Sequence, residues 1–114
     1  MKYVCLVYCE ESRLFSLPES PTDAECMAVG ADLRAAGQML GGNALESVHT
    51  ATTVRVRQGK LSVTDGPFAE TKEHLVGFYL IEARDLNEAI AIAGRIPPAR
   101  VGSIEVRPVR ELQG

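Results

Sequence analysis

Two stretches of this chain, Tyr3 to Cys9 and Leu75 to Ala83, are apolar almost without interruption. Each is too short for a core helix and rich in strand-forming residues. A strand with one wet face alternates apolar and polar side chains. A continuous apolar run of this length marks a strand buried on both faces. Two such strands belong in the middle of a sheet, and both faces of that sheet need cover.

The remaining elements are read around them. Glu10 to Ser20 is mostly polar and reads as a loop with a short turn. A helix starts within Ser20-Pro21-Thr22-Asp23-Ala24-Glu25. Thr22 and Glu25 have capping-box spacing, and Ser20 with Pro21 at the first helical position is the competing start. The helix carries Cys26, Val29, Leu33 and Ala36 on one stripe, and Gly37 stops it. Met39 to Leu45 is a short strand with a kink or bulge at Gly41-Gly42. A hairpin turns at Gln58-Gly59 and pairs Val54 with Val63, Arg55 with Ser62, Val56 with Leu61 and Arg57 with Lys60. Asp85 caps a second helix with Leu86, Ala89, Ile90, Ala93 and Ile96 turned inward, and Pro97-Pro98 ends it. Ser103 to Val109 alternates and holds Pro108, as an edge strand does.

With the hairpin set aside, the order is β-α-β-β-α-β, the ferredoxin-like pattern of the α+β class. Residues 1–114 form one domain in this reading. Both helices have a single apolar stripe, so together they roof one face of the sheet. The other face stays apolar and open, which predicts a homodimer packed through the helix-free sheet faces, a dimeric α/β barrel.

Charge and composition narrow the function. The net charge is −3 and the cations are scattered, which argues against nucleic acid as a partner. No apolar run reaches membrane-spanning length, and no export signal opens the chain. The three cysteines, Cys5, Cys9 and Cys26, fit a reducing, cytoplasmic setting. Cys5 and Cys9 would lie about 13 Å apart on an extended strand, beyond the reach of a disulfide. No His or Cys pair has metal-ligand spacing, and no phosphate-cradling glycine loop is present, so neither metal nor cofactor is expected.

The chemistry concentrates in Asp65-Gly66-Pro67-Phe68-Ala69-Glu70-Thr71-Lys72-Glu73, followed by His74. Asp65 reads either as a turn residue whose carboxylate accepts nearby backbone N–H groups or as a general base. His74, nine positions on, is within reach of Asp65 as a proton shuttle or is a histidine at a strand end. Lys72 and Arg55 are candidate anchors for an anionic ligand. Phe68 and Glu70 complete the candidate pocket, with Phe68 as stacking platform or core plug.

This motif resembles the signature of the DGPF branch of the YCII-related proteins. The similarity extends to Lys2-Tyr3-Val4, Leu40-Gly41-Gly42, Ala51-Thr52-Thr53-Val54-Arg55, Gly77-Phe78-Tyr79-Leu80-Ile81-Glu82, Arg95-Ile96-Pro97 and Glu105-Val106-Arg107-Pro108-Val109. The resemblance implies a ferredoxin-like fold, a dimeric α/β barrel and a bacterial cytoplasmic setting. It also implies a His-Asp pair like that of presumed enzymes distantly similar to muconolactone isomerase. Asp65 matches the motif aspartate, while this chain has no histidine before His49. The branch's association with extracytoplasmic-function sigma factors implies an alternative, non-catalytic accessory role. The combined expectation is a dimer that binds a small anionic metabolite. If it is an enzyme, its chemistry is cofactor-independent proton transfer of the isomerase or lyase type.

Overall fold

The computed structural model describes residues Met1–Gly114. Its strands and helices, in chain order, are β1 (Lys2–Cys9), α1 (Glu11–Leu14), α2 (Asp23–Ala35), β2 (Met39–Ala44), β3 (Thr52–Arg57), β4 (Lys60–Asp65), β5 (His74–Glu82), α3 (Leu86–Ala93) and β6 (Ser103–Pro108). Short 3-10 turns occupy Val48–Thr50 and Pro97–Arg100. The fold is α+β with two antiparallel sheets. One is four-stranded in the order β2-β5-β1-β6, and the other is the β3-β4 ribbon. This arrangement is compatible with the ferredoxin-like pattern. The two apolar runs, β1 and β5, take the centre, and the glycine-bearing and proline-bearing strands take the edges.

Local chemistry explains the helix limits. The Thr22 hydroxyl accepts from the Glu25 N–H at 3.1 Å, so Thr22 is the cap of α2. Ser20 instead donates to the Arg13 carbonyl. Gly37, at φ 71°, ends α2 in a Schellman pattern: Gln38 N–H reaches Leu33 O at 2.8 Å and Gly37 N–H reaches Arg34 O at 3.0 Å. The Asp85 carboxylate accepts from the Glu88 N–H at 2.9 Å and starts α3.

The buried hydrophobic residues form one layer. Tyr3, Cys5, Val7 and Cys9 of β1 meet Ile81 and Ala83, and above them pack Leu33, Ala89, Ile92, Ala93 and Ile96. Burial pushes the Cys5 thiol up to about 11, so this cysteine behaves as a small hydrophobe. The inward stripe of α3 is therefore Ala89, Ile92, Ala93 and, just beyond the helix, Ile96. Leu86 and Ile90, expected inside, are 51% and 54% exposed. At about 100° per residue Ala89, Ile92, Ala93 and Ile96 cluster on one arc, while Leu86 and Ile90 fall to one side of it, on the helix shoulder.

α1 and the loop after it serve the same layer. Leu14 packs against the core. Arg100 grips the Glu25 carboxylate with both terminal nitrogens, at 2.6 and 2.9 Å, and also the Glu19 carbonyl. On the opposite sheet face the alternate residues Val4, Leu6, Tyr8, Phe78 and Leu80 stay partly exposed. No helix is long and apolar enough to cross a membrane.

The β3-β4 ribbon has the register that its sequence predicts, from Val54 opposite Val63 to Arg57 opposite Lys60. Gln58 and Gly59 both have positive φ, 53° and 74°, which a two-residue type I′ turn requires.

Gly102 marks the tightest backbone approach. A Cβ there would overlap the Tyr8 carbonyl and the Cys9 sulfur. Neither neighbour is the free end of a flexible side chain. Gly102→Ala is therefore expected to cost about 2 kcal/mol, within the range for forced overpacking. A lowered urea midpoint at unchanged slope checks this.

Candidate functional site

A bulge sets the geometry where β1 and β5 end. Val7 pairs with Gly77, but Tyr8 pairs with Leu75 and Cys9 with His74, leaving Val76 as the extra residue. The pairing puts Leu75 beside Tyr8 on the helix-free side. It puts His74 opposite the buried Cys9. The His74 Nδ1 is buried without a hydrogen-bond partner. A buried ring nitrogen in that state is unusual and forgoes the stabilisation of a bond.

His74 lies on the wall of an open cleft of about 1030 Å³. Three pieces of chain build it. The segment from Leu45 through Val48 to Val54 forms one wall, and Pro67, Phe68, Ala69, Thr71 and Glu73 form another. Tyr8, Leu75 and the start of β6 close the end. The Ser103 hydroxyl donates to the Glu73 carboxylate at 2.9 Å and ties β6 to the loop. The acidic lining residues are Glu46, Glu73 and Glu105, with His74 beside them; no lysine or arginine faces the cleft.

Of the residues selected from sequence, His74 and Phe68 line this cleft. Phe68 is 79% exposed, so it is a loop aromatic rather than a core plug. Asp65 ends β4 opposite Thr52, is exposed and does not line the cleft. No hydrogen bond or ion pair joins it to His74. The ribbon's pairing holds Asp65 at the hairpin base, while Gly66 to Glu73 lead the chain away before β5 begins. Gly66, at φ 103°, makes that exit and donates to the Ala51 carbonyl at 2.7 Å. Arg55 reaches the Phe68 carbonyl at 3.4 Å, a contact that steadies the loop from behind. Glu70 and Lys72 are exposed and, like Arg55, lie outside the lining. No three His, Cys, Asp or Glu side chains gather closely enough to hold a metal ion.

The residue that sequence reading passed over is Glu11. It stands on α1, inside the stretch read as loop. Its carboxylate accepts from the Val48 N–H at 2.6 Å and from the Ser47 hydroxyl at 2.9 Å, clasping α1 to the wall of the cleft. The Val48 N–H, then the Ser47 hydroxyl and the nearby His74 and His49, hold its carboxyl below the usual range against a smaller opposing effect of burial. Glu11, not Asp65, is thus a carboxylate whose field His74 shares.

A depressed carboxyl value in the folded state means that the clasp contributes fully above the ordinary value of about 4.3. It is lost as pH falls through the depressed folded value. Glu11→Gln is expected to cost about 1 kcal/mol, a charged hydrogen bond discounted for solvent exposure. Hydrogen exchange at the Val48 amide is the check. At neutral pH it should speed up on the order of five-fold in Glu11→Gln, the factor that 1 kcal/mol implies. The wild type should show a comparable loss of protection only in acid.

The YCII-related domain family matches residues 1–113. An uncharacterised protein of Rhizobium meliloti (strain 1021) is 51% identical over 61 residues, covering 52% of this chain and 49% of that protein. The chain thus matches about half the length of this relative. Because the family match runs across every element described above, the chain belongs to the YCII-related family.

Proposed function

We propose that this protein is a homodimer, joined through its helix-free sheet faces, that binds a small organic molecule in the cleft beside His74. The observation that carries the reading is a cleft large enough for a small ligand with the imidazole of His74 in its wall, a ring whose Nδ1 has no partner within the chain. Nδ1 itself is closed to solvent, so a ligand would meet it only once the ring turns towards the cleft. Phe68 and Tyr8 offer aromatic surface, and Glu73, held by Ser103, offers a fixed acceptor. His74 is then the group that exchanges a proton with the ligand, and any chemistry is cofactor-independent proton transfer.

The expected anionic ligand rested on Lys72 and Arg55. The protomer's own lining is acidic, which favours a neutral or amine-bearing compound over a carboxylate. Asp65 drops to a supporting role at the ribbon base. A second, non-catalytic reading draws on the exposure of Phe68, which suits contact with another protein as well as contact with a ligand.

A thermal-shift screen of small amines, neutral carbonyl compounds and carboxylic acids tests the proposal. A ligand present at a hundred times its Kd adds about 2.7 kcal/mol, or roughly 10 °C for a domain of this size. That shift is expected in wild type and in Asp65→Ala, and is expected to shrink by at least half in His74→Gln and Phe68→Ala. Equal shifts in wild type and His74→Gln would remove His74 from the site. Silence across all three classes, with Phe68→Ala disrupting a protein complex, would favour the accessory reading.

A further inference from the structure

The β3-β4 ribbon leaves a run of aliphatic side chains uncovered in the protomer. Val54, Val56, Leu61 and Val63 share one face through their cross-strand pairs. They are 58%, 59%, 67% and 60% exposed. A two-stranded ribbon is marginal in water unless its apolar face packs on something. The shape agrees: the radius of gyration is 15.8 Å, against about 13 Å for a compact chain of this length.

Charge identifies what would cover it. Residues 52–65 carry three Lys or Arg against one Asp, net +2, leaving nine against fourteen, net −5, on the rest. A basic arm thus extends from an acidic body. Val54 lines the same cleft as Tyr8 and Leu75 of the helix-free sheet face, so the two uncovered apolar surfaces adjoin. Four half-exposed aliphatic side chains amount to a few hundred Å², short of the roughly 800 Å² per partner of a stable interface. Ribbon and sheet face together supply more, and a two-fold axis uses each twice. One chain therefore offers an apolar arm, an apolar platform and opposite charges to match them.

We propose that in the homodimer each ribbon lies across the helix-free sheet face of the second copy, so that the partner's ribbon closes each cleft. The four aliphatic side chains cover that copy's open sheet. Arg55, Arg57 and Lys60 alternate with them on the ribbon's other face, so their charge acts on the partner's acidic body as a longer-range field rather than through ion pairs at the contact. This inference rests on the dimer reading above and adds that the cleft is incomplete in a single protomer.

The test uses the full chain in two measurements. Sedimentation equilibrium compares wild type, Val56→Glu/Leu61→Glu on the ribbon and Leu6→Glu on the sheet face, with far-UV circular dichroism as the folding check. Wild type is expected to dimerise, more weakly as salt rises, and the ribbon variant's dimer Kd is expected to rise at least 100-fold. The second measurement needs no destabilising charge. A photo-crosslinking residue replaces Leu61 in a mixture of 14N- and 15N-labelled protein. Mixed-isotope crosslinks from the ribbon to β1 or β5 peptides are expected. Crosslinks confined to one copy, or a ribbon variant as dimeric as wild type while Leu6→Glu is monomeric, would overturn the ribbon's role and leave the sheet-face dimer standing. A wild type that stays monomeric at high concentration, or that captures only a different protein through the ribbon, would overturn both.

Discussion

The structure depends on a mismatch between one sheet and its roof. β1 and β5 bring apolar side chains to both faces, and the helices cover one. On the covered side Tyr3, Cys5, Val7 and Cys9 are essentially sealed. On the other side Val4, Leu6, Phe78 and Leu80, from the same two strands, remain partly wet. Burial of apolar area contributes about 25 cal/mol per Å², and a small domain has little to spare. Only 15 of 114 residues are buried, so this chain forgoes much of that contribution when alone. The flattened outline, 45 × 45 × 19 Å, is the geometric expression of the same deficit: one roofed layer with a projecting ribbon.

The cleft arises where this layer ends. The bulge at Val76 changes which side chains of β5 meet Tyr8 and Cys9, and it leaves His74 opposite a buried thiol. Burial and the neighbouring Glu73 push that thiol, Cys9, upward, so it is poorly suited to act as a nucleophile. On the proposed reading, proton exchange at this end of the strand falls to His74. The walls around it are loops held by few contacts: the Glu11 clasp on one side, the Ser103–Glu73 bond on another. Such tethers fix the wall without filling the space, which a binding cleft needs.

What could be read in advance follows the range of each interaction. The ribbon register was legible because pairing is local and every apolar residue there has an apolar opposite. The central places of β1 and β5 were legible because burial on both faces leaves no polar alternation. The Schellman stop at Gly37 followed from one residue. The stripe of α3 was harder, because Leu86, Ile90 and Ile92 are equally apolar and only the helix rotation, set by the Asp85 cap and the sheet beneath, separates them. Asp65 drew attention through its motif, yet its separation from His74 depends on how the eight residues between them route the chain. Glu11 left a faint trace, an acid within a polar stretch. Its partner Val48 lies 37 positions away, and contacts at that separation have no local signature.

Assembly and binding are coupled if one copy finishes the other's site. A ligand that contacts a wall supplied by the partner binds the dimer better than the monomer. By reciprocity it must then tighten the dimer by the same factor. An acidic cleft in an acidic body would on its own repel both a carboxylate ligand and a second acidic protomer. A basic ribbon arriving from the partner relieves both repulsions at once. Because Arg55, Arg57 and Lys60 alternate with the aliphatic residues on the ribbon's other face, they temper the partner's negative potential from a distance and leave the cleft's own acidic lining in place. That the cations and carboxylates sit on separate parts of one sequence is, on this view, the electrostatic reason for two copies, as the open sheet face is the hydrophobic one.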